Sequence, residues 1–187
     1  MTMSIACALL TKEGCWVGTD TQMTAPQSIA KRQDAKAAEH DGITALVVGS
    51  LLAERAVREV LGGRPATIEQ LLDLLRGHFQ ELEWPGKTED DGPAVRDAAY
   101  LVTDGRSLYQ IDGTLGAMRV GIGEFAAIGS GAGLAHGAAH AAMALGASPK
   151  TTMRLAIEAA CRHNVYCGGE TKMWLVPRSE TILGEAR

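Results

Sequence analysis

Thr2 follows the initiator methionine, and its small side chain favours aminopeptidase removal of Met1. Removal leaves a hydroxyl and a free α-amine on one residue. A hydroxyl is a poor nucleophile at neutral pH and needs an adjacent base. An α-amine, with an unperturbed pKa of about 7.7–8.0, suits that role. Many proteins begin Met-Thr, so the surroundings of Thr2 must carry the argument. His136 and His140 stand four apart in a helical stretch and share one face, a spacing able to chelate zinc. Gly137 occupies the place of a general-base glutamate and no third ligand is evident, so metal catalysis is not expected. Cys7, Cys15, Cys161 and Cys167 form no CxxC pair. They read as reduced, buried thiols of a cytoplasmic protein.

The elements that must position such residues follow from periodicity. Strands are predicted over Met3–Leu10 and Cys15–Thr19 around a turn at Lys12-Glu13-Gly14, after which Asp20 to Asp34 is polar. A short strand at Ala35–Ala38 and an apolar one at Ile43–Gly49 flank the turn Asp41-Gly42. Leu51–Leu61 has helical period, and Thr67 with Gln70 forms a capping box for a second helix. Trp84–Asp97 reads as an exposed loop. Strands follow at Ala99–Thr103, Ser107–Ile111 and Phe125–Ile128. Gly129-Ser130-Gly131 then joins strand to an Ala-rich helix, Leu134–Leu145. Ser148 caps a further helix, with Pro149 at its first position, that runs to about His163. Lys172–Val176 and Thr181–Leu183 close the chain as strands. Strands, two helices, strands, two helices, strands is the order of an α+β four-layer αββα sandwich, predicted as one domain over 1–187.

In this order the sequence resembles the proteasome β subunits, and most closely the HslV type. That family starts its first strand at the catalytic threonine, as Thr2-Met3-Ser4-Ile5-Ala6 does. Its second strand ends in an acid-containing turn, matched by Gly18-Thr19-Asp20-Thr21-Gln22-Met23-Thr24. A lysine follows at a set distance ahead of the next hairpin turn, where Lys36 falls, with Lys31 and Arg32 as neighbouring competitors. The strand ending Gly129-Ser130-Gly131 and the loop Arg162 to Gly169 complete the match. The resemblance implies an N-terminal-nucleophile hydrolase, a threonine peptidase. Thr2 would attack the scissile carbonyl, and Lys36 would lower the pKa of amine and hydroxyl. Asp20 would hold Lys36, and Ser130 would bond near the α-amine. For Asp20 and Ser130 on their own, turn chemistry is the plainer account.

Three further sites come from the resemblance. Leu46 follows Ala45 where the family has a glycine whose N–H serves the oxyanion hole, and any non-proline residue keeps that N–H. Gly49 aligns with a second family glycine. Asn164 stands where many proteasome β subunits carry an aspartate that HslV-type sequences lack. The chemistry is expected to need no cofactor. A monovalent cation such as Na+ is implied on backbone carbonyls of the loop, at Cys161, Asn164 and Cys167. Rings, an inner chamber, peptide or unfolded-protein substrates and an unfoldase ATPase such as HslU are implied too. An inactive shell or assembly protein and an amidase for a small amide are the alternatives. A net charge of −4 gives no basic field for nucleic acid, and no apolar run approaches a membrane span.

Overall fold

The structure is a computed structural model that describes residues 4–25, 28–82 and 98–178. Thr2, the loop over Trp84–Asp97 and the strand over Thr181–Leu183 lie outside the described residues. In chain order the elements are β1 (Ala6–Leu10), β2 (Gly14–Asp20), β3 (Gln22–Ala25), β4 (Ser28–Lys31), β5 (Ala37–His40) and β6 (Ile43–Gly49). Helices α1 (Leu51–Gly62) and α2 (Ile68–Leu82) follow. Then come β7 (Ala98–Thr103), β8 (Leu108–Ile111), β9 (Ala117–Val120), β10 (Phe125–Ile128), α3 (Ala132–Ala144), α4 (Pro149–His163) and β11 (Thr171–Pro177).

Two antiparallel sheets form the middle of the molecule, one ordered β10-β1-β2-β11 and the other β5-β6-β7-β8-β9. Alternation along β6 shows how they stack. Leu46 and Val48 point into the space between the sheets, where they meet Ala6, Ala8, Leu10 and Val17. Ala45 and Val47 point the other way, onto Val57, Leu61, Leu71 and Leu75 of α1 and α2. On the far side, Ile5, Cys7 and Leu9 meet Met153, Ala156, Ile157 and the alanines of α3. Strands covered on both faces read as unbroken apolar runs, which explains Ile43 to Val48. The result is the expected αββα sandwich. No helix among the described residues is long and apolar enough to cross a membrane.

Caps set where the helices begin. The Ser50 hydroxyl accepts from Leu52 N–H (3.1 Å) and Ser148 from Thr151 N–H (3.2 Å). The segment after Asp20 is not simply polar loop, because β3 and β4 pair as a hairpin with Gln22 opposite Lys31. β9 also escapes the sequence pattern. It is an edge strand whose Ala117, Met118 and Arg119 are exposed, so no apolar alternation marks it.

Leu46 requires a correction. It is fully buried between the sheets, and its strand pairs with β5 on one side and β7 on the other. A residue in mid-ladder has its backbone committed to its neighbours and opens onto no cleft. Leu46→Ala is accordingly expected to destabilise the fold by about 2–5 kcal/mol, measured by urea unfolding.

Candidate active site

The site forms where the first sheet, the second sheet and the α4–β11 loop meet at one end of the sandwich. The β1–β2 hairpin begins it. Its register sets Ala6 opposite Thr19 and Leu10 opposite Cys15, so the residues just before β1 lie beside Asp20 and Thr21. Asp20 is fully buried. Its Oδ1 accepts from Ser4 Oγ (2.9 Å), Ile5 N–H (3.2 Å) and Lys36 Nζ (2.5 Å), and its Oδ2 from Gly168 N–H (3.0 Å).

Lys36 enters from the second sheet, one residue before β5. Its N–H donates to Thr19 Oγ1 (3.2 Å) and its carbonyl accepts from Val47 N–H (2.9 Å), so both of its backbone groups are held. The buried ammonium donates to Asp20 and also to Ser4 Oγ. Burial lowers the Lys36 pKa; the charge and hydrogen bond of Asp20 oppose that shift and leave it below the ordinary value. Lys31 is exposed on β4, in register with Gln22, so of the two lysines Lys36 is the one at the site.

Ser130 approaches from the β10–α3 junction. Its Oγ accepts from Ser4 N–H (3.2 Å) and donates to the Ser4 carbonyl (3.3 Å). The turn brings backbone very close. Gly129 has φ of 101°, and a Cβ there would lie 2.3 Å from the Ser4 carbonyl oxygen, so only glycine fits. Asn164, at the end of α4, donates from Nδ2 to the Ser130 carbonyl (2.7 Å) and accepts Tyr166 N–H on Oδ1 (2.9 Å). It pins the Ser130 turn and does not reach Ser4 by any described bond. Cys167 is buried with its Sγ 3.7 Å from Ser130 Oγ, and burial raises its pKa.

Gly49 ends β6 two residues after Val47, at the Lys36 end of that sheet, with φ of 115° and an exposed position before the cap of α1. Its place at the site end distinguishes it from Leu46. In the α4–β11 loop, the Asn164 carbonyl accepts from Cys167 N–H (3.0 Å), and Cys161 still lies within α4. No cluster of three or more His, Cys, Asp or Glu among the described residues suits a metal ion. His136 instead packs edge-on to Phe125 at 5.2 Å between ring centroids.

The structure therefore brings Asp20, Lys36 and Ser130 together, and the hydroxyl they surround is Ser4. The sequence reading named Thr2, which lies outside the described residues, and did not weigh Ser4. Hairpin arithmetic carried the signal, since a turn at Lys12-Glu13 pairs positions whose numbers sum to 25. That sum aligns Ser4 with Thr21, next to Asp20.

This geometry sits on a backbone with known counterparts. Thiobacillus denitrificans BPH, solved in complex with epoxomicin, superposes with a TM-score of 0.77 at 14% identity, covering 94% of this chain and 99% of that one. The Thiobacillus denitrificans BPH structure solved separately gives 0.76 over the same shares of the two chains, again at 14% identity. Eukaryotic HslV from Trypanosoma brucei gives 0.68 at 21% identity, covering 91% of this chain and 97% of that one. The fold is the HslV fold. The HslV-type backbone recurs here at an identity that speaks for architecture alone. No family model matches the sequence, and no curated protein matches it.

Within this HslV-type frame Asp20 gathers four donors on one carboxylate. Asp20→Ala leaves the Lys36 ammonium buried without its counter-charge. The expected loss is about 3–5 kcal/mol in urea unfolding. The double variant Asp20→Ala/Lys36→Met removes both charges and is expected to regain a large part of that loss.

Proposed function

We propose that this chain is an N-terminal-nucleophile hydrolase of peptide bonds in which Ser4 is the nucleophile. The observation that carries the reading is the contact of Ser4 Oγ with both members of the buried Lys36–Asp20 pair. Thr2, the first hydroxyl of the chain, lies outside the described residues, so Ser4 is the hydroxyl with a described activating environment.

The chemistry follows from that environment. Once processing hydrolyses the Met3–Ser4 bond, with water supplying the new carboxylate of the released Met1–Met3, Ser4 carries a free α-amine placed beside Ser130 and close to working pH in basicity. The amine takes the Oγ proton as Oγ attacks the scissile carbonyl carbon. The carbonyl C–N bond then breaks, the departing amine receives that proton, and an ester remains on Ser4. Water attacks the ester with the same amine as base, which frees the acid and restores the hydroxyl. The Lys36 ammonium favours the developing alkoxide, and Asp20 holds it in place. The Gly49 N–H, at the open end of β6, is the proposed oxyanion donor.

The same reading extends to assembly. A closed ring or stacked rings of this chain, peptide or unfolded-protein substrates and an unfoldase ATPase partner of the HslU kind go with it, as does a monovalent cation in the α4–β11 loop. The inactive-shell reading has one observation in its favour: Met1 to Met3 stand ahead of Ser4, and a chain that keeps them has no α-amine on Ser4.

The test joins intact mass, light scattering and a panel of fluorogenic peptides. The expected result is a ring-sized particle whose processed chain begins at Ser4, with Ser4→Ala at background and Thr2→Ala near wild type. An epoxyketone is expected to add to Ser4 and to none of the cysteines. Loss of activity in Thr2→Ala with Ser4→Ala unaffected would return the role to Thr2. A chain that keeps Met1 to Met3 and cleaves nothing would make it a shell, and turnover of small amides alone would make it an amidase.

A further inference from the structure

One buried charge has no part in the chemistry above. Glu54 lies in the first turn of α1 and is only 8% exposed. Its two oxygens receive the Arg32 guanidinium as a fork, Nη1 to Oε2 at 2.5 Å and Nη2 to Oε1 at 2.8 Å. Arg58, one turn on, donates to the same Oε1 through Nη2 (2.9 Å) and Nε (3.3 Å). Burying a carboxylate to pair it with arginines is a poor way to gain stability, because apolar side chains of similar size often do as well or better. Its position gives it another use.

Arg32 is tied at both ends. Its N–H donates to the Thr21 carbonyl (3.0 Å), next to Asp20, while its side chain grips the helix that starts just after Gly49 and Ser50. Four residues later comes Lys36. Residues 33–35 between them belong to no strand or helix, and Gln33 and Asp34 are exposed, so no ladder fixes their course. Lys36 is joined in turn to Val47 on β6, two residues before Gly49. The contacts close a circuit through Thr21, Arg32, Glu54, the start of α1, Gly49, Val47, Lys36 and Asp20. Without the Arg32–Glu54 fork the circuit is open on the side of the irregular segment.

We propose that Arg32 and Glu54 are positioning residues that set Lys36 against Ser4 and against the Gly49 end of β6. This rests on the hydrolase reading for its catalytic consequence, but the placement of Lys36 does not depend on turnover. The groups that face Lys36 are Ser4 from ahead of β1, Asp20 from β2, Cys167 from the α4–β11 loop and Arg32 itself. Arg32 is a like charge and pushes the Lys36 pKa down, whereas Asp20 pushes it up. Arg32 is the smallest of these influences, and removing its charge is expected to shift the Lys36 pKa upward. Whether Lys36 acts as a cation or as a neutral amine, the limb of the pH–rate profile that it controls moves to higher pH.

The test is a titration of the Lys36 side chain by 13C NMR on the whole protein, with its signal assigned by its loss in Lys36→Arg. In Arg32→Gln the midpoint is expected to rise. Arg32→Lys keeps the charge without the fork and is expected to lower kcat roughly tenfold. Glu54→Gln is expected to lower kcat by a similar factor with KM within about twofold. A folded Arg32→Gln with an unmoved midpoint overturns the proposal, as does a fall in Tm with both titration and kcat unchanged. Should Arg32→Gln fail to fold, Arg32→Lys and Glu54→Gln decide it by kcat against KM. Absence of all turnover in wild type would sink the hydrolase reading alone, because the titration still decides whether Arg32 acts on Lys36.

Discussion

Lys36 and Asp20 form an ion pair almost wholly withdrawn from water, and the rest of the site is arranged around the cost of keeping it there. An isolated buried ammonium would lose its proton or unfold its surroundings. Asp20 prevents that only because its own carboxylate is saturated by donors from the residues just ahead of β1 and from the α4–β11 loop. Those donors lie on separate elements, so the pair can exist only when the hairpin, the start of β5 and the loop are all in place. The charge pair thus acts as a geometric constraint on three parts of the chain at once.

The αββα layering makes the constraint affordable. Both sheets are covered by helices, so the pair sits at the end of a dry, close-packed interior where fixed dipoles outweigh mobile water. Small residues are needed at that end. Gly129 lets the Ser4 carbonyl approach, and a Cβ on Gly131 would lie 2.8 Å from both Ala160 and Cys167. The abundance of Ala and Gly around α3 and α4 reflects this close approach of helix, strand and loop as much as any contact with another molecule.

Much of the architecture was legible from residue types. Ile43–Gly49 and Phe125–Ile128 were marked by apolar runs, and α4 by Ser148 and Pro149 at its start. β9 was invisible because an exposed edge carries no alternation, and the β3–β4 hairpin because its strands are short and mixed in polarity. Within the site, Asp20, Lys36 and Ser130 were found through their order along the chain, which survives where each residue alone says little. Ser4 was not weighed because its place beside Asp20 follows only from strand pairing, while Thr2 lies outside the described residues. Leu46 was read as an oxyanion donor from its aligned position, which does not show that strands pair with β6 on both sides of that residue. The Arg32–Glu54 fork joins residues 22 apart with no shared motif, so only the folded chain displays it.

The hydrogen bonds that complete the site also span most of the chain. Ser4 meets Ser130 across 126 residues, and Asp20 meets Gly168 across 148. A chain still being synthesised holds Ser4, Asp20 and Lys36 from the start but has neither the turn nor the loop that locks them. The full set of contacts therefore cannot form on the nascent polypeptide until its last third has emerged and docked.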